Sequence, residues 1–398
     1  MTMRMKKTGG SSKFLLRILA AIVVGAVLGL VLPDIGVRAF KTVNLLFAQL
    51  LKFIVPLLIL GLVTPAIADV GKGAGKMLVA VVVASYLSTV AAGFFAYGAS
   101  GLLLPHYIAQ GAFESAGNGK EFLPFFTLKI PPVCDVLTAL VLSFMVGVGI
   151  VHAGSESLKR GVADFGAIVK LTIMRVIIPG LPVYIMTMIS EMTASGKLSV
   201  MAGVLFKVIG TGWGLTLAFL LVLYIVAGAV AGRNPVACLW RMLPAYLTGL
   251  SIASSSAVIP VTLECCERNG ISKKVRDFVV PLCANVHLAG SAIKLLTSAF
   301  AISILYGFEM PFAHVVNFIF ILAIAAVAAP GVMGGVLMAS VGFVESILGF
   351  TSEQTALLMT FYLALDGYGP AANVTADGAV ALAMDRFFGH ERCKAHMR

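Results

Sequence analysis

Apolar residues run along this chain in blocks long enough to cross a bilayer, and the blocks are separated by short loops holding lysine, arginine and glycine. The first block, residues 18–32, follows Arg4, Lys6, Lys7, Lys13 and Arg17, which predicts a transmembrane helix with a cytoplasmic N-terminus. A signal peptide is the alternative, but no small-residue cleavage site follows and further spans do. Residues 40–67, 77–104, 136–151, 163–189 and 200–231 predict five more spans. Pro179 and Pro182 should bend the fifth. The polar stretch 106–130 is read as outside. The loop 69–76, the loop with Glu156, Lys159 and Arg160, and the loop with Arg233 and Arg241 then all fall on the cytoplasmic side.

The regularity changes after Arg241. Residues 244–266 are apolar but interrupted by Ser251, Ser254, Ser255 and Ser256, and then by Pro260. A plain span gains nothing from serines at mid-depth, whereas a re-entrant hairpin needs polar groups at its tip. A basic cluster, Arg268, Lys273, Lys274 and Arg276, follows. Residues 279–306 predict one helix bearing His287 and Lys294 at i, i+7. A second broken segment, 312–350, has Pro330, Gly331, Gly334 and Gly335 at its centre and predicts a second hairpin tip. Residues 356–384 then predict a last helix. Asp366, Asn373 and Asp377 fall on one of its faces at i, i+7 and i+11, and Gly367, Gly369 and Pro370 loosen it. Two interrupted apolar segments in corresponding places point to the binding site of a secondary transporter.

Composition narrows the class. The chain has 398 residues, 59% hydrophobic and 12% charged, which fits an all-α polytopic membrane protein and excludes a soluble domain. The net charge of +11 follows from loops and span ends, so it does not argue for nucleic acid as a partner. Cys134, Cys238, Cys265, Cys266, Cys283 and Cys393 show no spacing suited to zinc, and are read as small hydrophobes rather than disulfides or transition-metal ligands.

The run Ser254-Ser255-Ser256-Ala257-Val258-Ile259-Pro260-Val261-Thr262 resembles the serine-rich first hairpin of the dicarboxylate/amino acid:cation symporters, the glutamate-transporter homologues. Asn269-Gly270-Ile271-Ser272 with Val280-Pro281-Leu282, and Asn373-Val374-Thr375-Ala376-Asp377, resemble later stretches of that family in the same order. Val55-Pro56-Leu57, Tyr86 and Thr89 fit the earlier spans. The resemblance covers nearly the whole chain. It implies about eight transmembrane helices plus two re-entrant hairpins in the cell inner membrane, both termini cytoplasmic, and a homotrimer embedded in lipid. Each protomer would comprise scaffold helices at about 14–70 and 133–192 and a moving transport domain at about 77–104 and 199–388.

By the same resemblance Asn373 holds a substrate carboxylate, with Ser254, Ser255 and Ser256 adding donors, and Asp366 faces a substrate ammonium group. Asp377 is a sodium ligand, with backbone oxygens of Cys283, His287 and Asn373 completing the site, as hard cations prefer oxygen. There are departures. The family's N-M-D-G-T motif is His287-Leu288-Ala289-Gly290-Ser291 here, so a carboxylate is replaced by Ala289. The arginines that grip acidic side chains in that family align with Gly369 and Ala253. His287 is either a satisfied buried group or a coupling group. Lys294 either snorkels or pairs with a carboxylate, or it acts as a built-in cation or anion anchor.

These residues predict a cation-coupled symporter, driven by sodium or protons and needing no other cofactor, for a small carboxylated solute. Without either arginine the solute is a neutral amino acid or a carboxylate held through Lys294. A passive anion or solute channel is the alternative. An intramembrane enzyme using Ser254 to Ser256 and His287 is disfavoured, because no G-x-S-x-G context is present.

Overall fold

Without water inside a bilayer, backbone N–H and C=O groups must bond within their own segment, and the apolar blocks fold accordingly into helices. The structure, a computed structural model, describes residues 9–70, 75–116, 120–328, 334–364 and 367–389, and none of these lies in a strand. The chain begins with α1 (Gly9–Val31), α2 (Asp34–Val70), α3 (Lys76–Leu103) and the one-turn α4 (Ala112–Ala116). Next come α5 (Val136–Ala153), α6 (Glu156–Thr172), α7 (Ile178–Ala194) and α8 (Leu198–Ala231). Then α9 (Pro235–Arg241), α10 (Leu243–Ile252), α11 (Ser255–Arg268), α12 (Lys273–Val286) and α13 (Ala289–Tyr306) follow. The chain closes with α14 (Phe312–Ala328), α15 (Gly335–Leu348), α16 (Ser352–Ala364) and α17 (Tyr368–Phe388). Among the described residues, five stretches are long and apolar enough to cross a membrane by length and composition: Asp34–Pro65, Lys76–His106, Glu156–Ala194, Leu198–Ala231 and Lys273–Tyr306.

Four elements differ from the sequence reading. The expected bend at residues 163–189 is a π-helical turn over Ile173–Ile177 between α6 and α7. It lies just before Pro179 and Pro182, which cannot donate to the preceding turn. The loop holding Arg233 and Arg241 contains α9, capped by the Asn234 side chain, which accepts from Ala237 N. The helix expected at 279–306 is broken between α12 and α13. The last segment is two helices rather than one, α16 and α17. His287 and Lys294 therefore do not share the face of a single helix.

Two interrupted segments fold back as helical pairs. α10 packs on α11 across Ala253 and Ser254, and α14 packs on α15. Of the second tip, Gly334 and Gly335 are described: Gly334 takes a left-handed φ of +70° and Gly335 opens α15, while Pro330 and Gly331 lie outside the described residues.

Two packing sets are visible. α1 and α2 pack on α7, and α2 also packs on α5 and α6. α17 lies at the centre of the other set, against α8, α10, α11, α12 and α13, and α3 packs on α13. The sets meet where α2 touches α14 and α15, and there Lys52 pairs with Glu345 at 3.1 Å. α13 and α17 are buried along most of their length, including their polar residues. Apolar side chains point outward from the edges, among them Val24 on α1, Met145 on α5, Ile168 on α6 and Phe206 on α8. Such a surface suits lipid and neighbouring protein more than water.

Candidate cation and substrate site

The polar centre lies where α17 crosses the break between α12 and α13. At the break His287 (φ −113°, ψ 97°) and Leu288 (φ −121°, ψ 40°) leave the helical conformation. The His287 N–H still bonds to the Cys283 carbonyl at 2.8 Å, which closes α12. Helix ends leave backbone groups without intrahelical partners, so oxygens at the end of α12 and N–H groups at the start of α13 face the same region.

On α17, Asn373 and Asp377 are one turn apart and share a face. The Asn373 amide is fixed by Ser291: its Nδ2 donates to Ser291 Oγ at 2.9 Å, and its Oδ1 accepts from Ser291 N at 3.2 Å. The second N–H of that amide is left for another acceptor. Asp377 is fully buried, and its Oδ1 is 3.0 Å from His287 Nδ1. The other ring nitrogen, Nε2, lies 2.9 Å from Ser88 Oγ on α3. Asp377 Oδ2 is buried and has no hydrogen-bond partner among the described residues. A buried carboxylate oxygen left alone is costly, and a hard cation is one group that relieves it. Close by, Cys283 Sγ is 3.7 Å from Ser85 Oγ.

The helices approach closely because their contact residues are small. A Cβ added at Gly290 would lie 2.7 Å from the Gly369 carbonyl and press on Ala372. α10 meets α17 the same way, with the Leu250 carbonyl against Gly367. At the first tip, Ala253 takes a left-handed φ of 53°, the one non-glycine residue to do so among those described. Strain of this kind often collects at functional sites.

The structure brings Cys283, His287, Asn373 and Asp377 together at the break. Of the serines, Ser254 opens α11 without a side-chain cap, Ser255 is buried in its first turn, and Ser256 Oγ donates to Asn285 Oδ1 on α12 at 3.2 Å. Ser256 is thus tied to α12 rather than to Asn373. Asp366 lies outside the described residues. Ala289 is buried with no side-chain oxygen to offer.

Lys294 does not snorkel: it is completely buried, with Nζ 3.5 Å from the centroid of the Tyr362 ring. The sequence reading did not assign Tyr362, Asn285 or Ser291 to the site. Ser291 lies within the altered motif and could have been found there. Tyr362 and Asn285 carry no local signal.

The sequence matches the sodium:dicarboxylate symporter family over residues 14–387. It is 28% identical over 342 residues to the serine/threonine transporter SstT of Streptococcus thermophilus strain CNRZ 1066, covering 81% of this chain and 82% of that protein. The proteins of the same name from strains ATCC BAA-250 / LMG 18311 and ATCC BAA-491 / LMD-9 match to the same extent. Because the match takes in every helix that builds the site around Asp377, the chain belongs to the sodium:dicarboxylate symporter family.

Proposed function

We propose that the protein is a sodium-coupled secondary active symporter that imports a small carboxylated solute. The observation that carries this reading is the buried Asp377 carboxylate, held on one oxygen by His287 and without a partner on the other among the described residues, one turn from Asn373. A cation at Oδ2 would be completed by backbone oxygens of Cys283, His287 and Asn373. A substrate carboxylate would take the free N–H of Asn373 and backbone donors at the start of α11.

Both ligands would then bear on the same residue, Asn373. A cation that fixes α17 against the α12 end lowers the cost of ordering the substrate site, and the substrate does the same for the cation. The gradient of one thereby drives the other.

The division into scaffold and transport domain, and the elevator movement between them, belong to the same proposal. The two packing sets support it, as does their meeting along α2, α14 and α15. The homotrimer, the cytoplasmic termini and the plasma-membrane location are carried by the resemblance and the loop charges. Outward apolar side chains such as Met145 and Ile168 give lipid and sister subunits a surface to cover. The relatives are serine/threonine transporters, which makes serine and threonine the first neutral solutes to try.

The test is counterflow in proteoliposomes with a panel of amino acids and dicarboxylates, in sodium and in sodium-free buffer. Exchange of at least one carboxylate that depends on sodium supports the proposal. Flux of many anions without saturation or ion dependence would make the protein a channel.

A further inference from the structure

Lys170, in the last turn of α6, and Arg175, in the π-helical turn over Ile173–Ile177, are both exposed. Neither side chain makes an ion pair or a hydrogen bond among the described residues. Their helix packs inward through Val169, Ile173 and Ile177, and Gly166 lies against the Gly61 carbonyl of α2. The outward side carries Ile168, Leu171, Met174 and Val176, all exposed. In an uninterrupted α-helix, residues five apart point about 140° apart around the axis. A π turn takes more residues per turn, so it draws the two cations toward one side.

The depth of the pair follows from the length of α7. From Arg175 to Ala194, where α7 ends, a helix rises about 29 Å. A bilayer's hydrocarbon core is about 30 Å thick. With the far end of α7 at one boundary of that core, Lys170 and Arg175 lie at the other. The loop charges make this the cytoplasmic boundary, where anionic lipids give the surface a negative potential. The acidic side chains of α6, Glu156 and Asp164, lie more than a turn nearer its N-terminus and do not neutralise the pair. A phosphate between the two side chains would take paired N–H donors from the guanidinium and a point charge from the ammonium group. Met174, Val176 and Val183, all exposed, offer an apolar path for acyl chains from that point into the core.

We propose that Lys170 and Arg175 form a binding site for the phosphate headgroup of an anionic phospholipid, seated at the π turn between α6 and α7. The site is separate from the polar centre at Asp377 and does not depend on which solute or ion is carried. Its occupant ties the junction of the two helices to the membrane surface.

The experiment titrates the purified full-length protein in detergent with phosphatidylglycerol, with phosphatidylcholine of the same acyl chains, and with inorganic phosphate. Thermal unfolding and native mass spectrometry report binding. For the wild type, phosphatidylglycerol raises the unfolding midpoint and stays bound at concentrations tenfold or more below those at which phosphatidylcholine does, and inorganic phosphate has no effect. Lys170→Gln with Arg175→Gln weakens phosphatidylglycerol tenfold or more, with the midpoint in detergent alone unchanged. Lys207→Gln, which removes an exposed cation on α8, keeps wild-type binding. Equal binding of the two lipids by the wild type overturns the proposal and leaves the cations snorkelling into the interface. Equal phosphatidylglycerol binding by the wild type and the double variant also overturns it. Stabilisation by inorganic phosphate that matches phosphatidylglycerol would make the site one for a free anion. A double variant that loses subunits in native mass spectrometry without added lipid would give this face to a sister subunit instead.

Discussion

His287 Nδ1 lies 3.0 Å from Asp377 Oδ1, joining the break between α12 and α13 to the middle of α17 through two fully buried side chains. The imidazole occupies one oxygen of the carboxylate proposed to bind the cation, so ring and cation draw on the same charge. His287→Asn removes the ring and should raise the apparent sodium affinity. Sodium titrations of substrate uptake by the two proteins check this. Equal sodium affinities would leave the histidine with a structural role.

Asp377→Asn replaces a carboxylate by an amide of the same shape. The neutral group keeps an oxygen beside His287 but loses the charge that attracts a cation. Apparent sodium affinity should fall tenfold or more, which is about 1.4 kcal/mol, with the protein still folded in detergent. Sodium dependence equal to that of the wild type would remove Asp377 from the cation site.

Gly290→Ala inserts a methyl group between α13 and α17, against Ala372 and the Gly369 carbonyl. Backbone must shift to admit it, at about 1–3 kcal/mol. The shift also displaces the Ser291–Asn373 pair next to it. Thermal stability should fall, and substrate affinity should fall with it. A variant with wild-type binding would show that the crossing tolerates more space than the structure allows.

Ala253→Gly relieves the left-handed backbone at the first hairpin tip. The steric cost of that conformation for an L-residue is about 1–2 kcal/mol, partly offset by the greater freedom of glycine in the unfolded chain. The unfolding midpoint should rise modestly, whereas Ala253→Val should lower it. Equal midpoints for all three proteins would contradict the strain at this tip.

Long apolar blocks made most helices legible, because each block must satisfy its own backbone in the membrane. The serine run and the Gly334–Gly335 pair signalled the two folded-back segments for the same reason. The break at His287 and Leu288 was not legible. No proline or paired glycine marks it, and the apolar run continues through it. It is held by contacts distant in sequence, from His287 to Asp377 and from Ser291 to Asn373. A reading of local periodicity misses such contacts and draws one helix. Asn373 and Asp377 drew attention because an amide and a carboxylate stand out on an apolar helix, and the structure buries both. The burial of Lys294 against Tyr362 could not be foreseen, because a lysine in a span is equally suited to snorkelling.

The central claim is that an ion gradient drives solute uptake through the site at Asp377. Its most direct test is accumulation of a labelled carboxylate in proteoliposomes under an inward sodium gradient. The inside concentration should overshoot the outside one, relax as sodium equilibrates, and show no overshoot in Asp377→Asn. Uptake that only equilibrates, at the same rate with and without the gradient, would contradict the account.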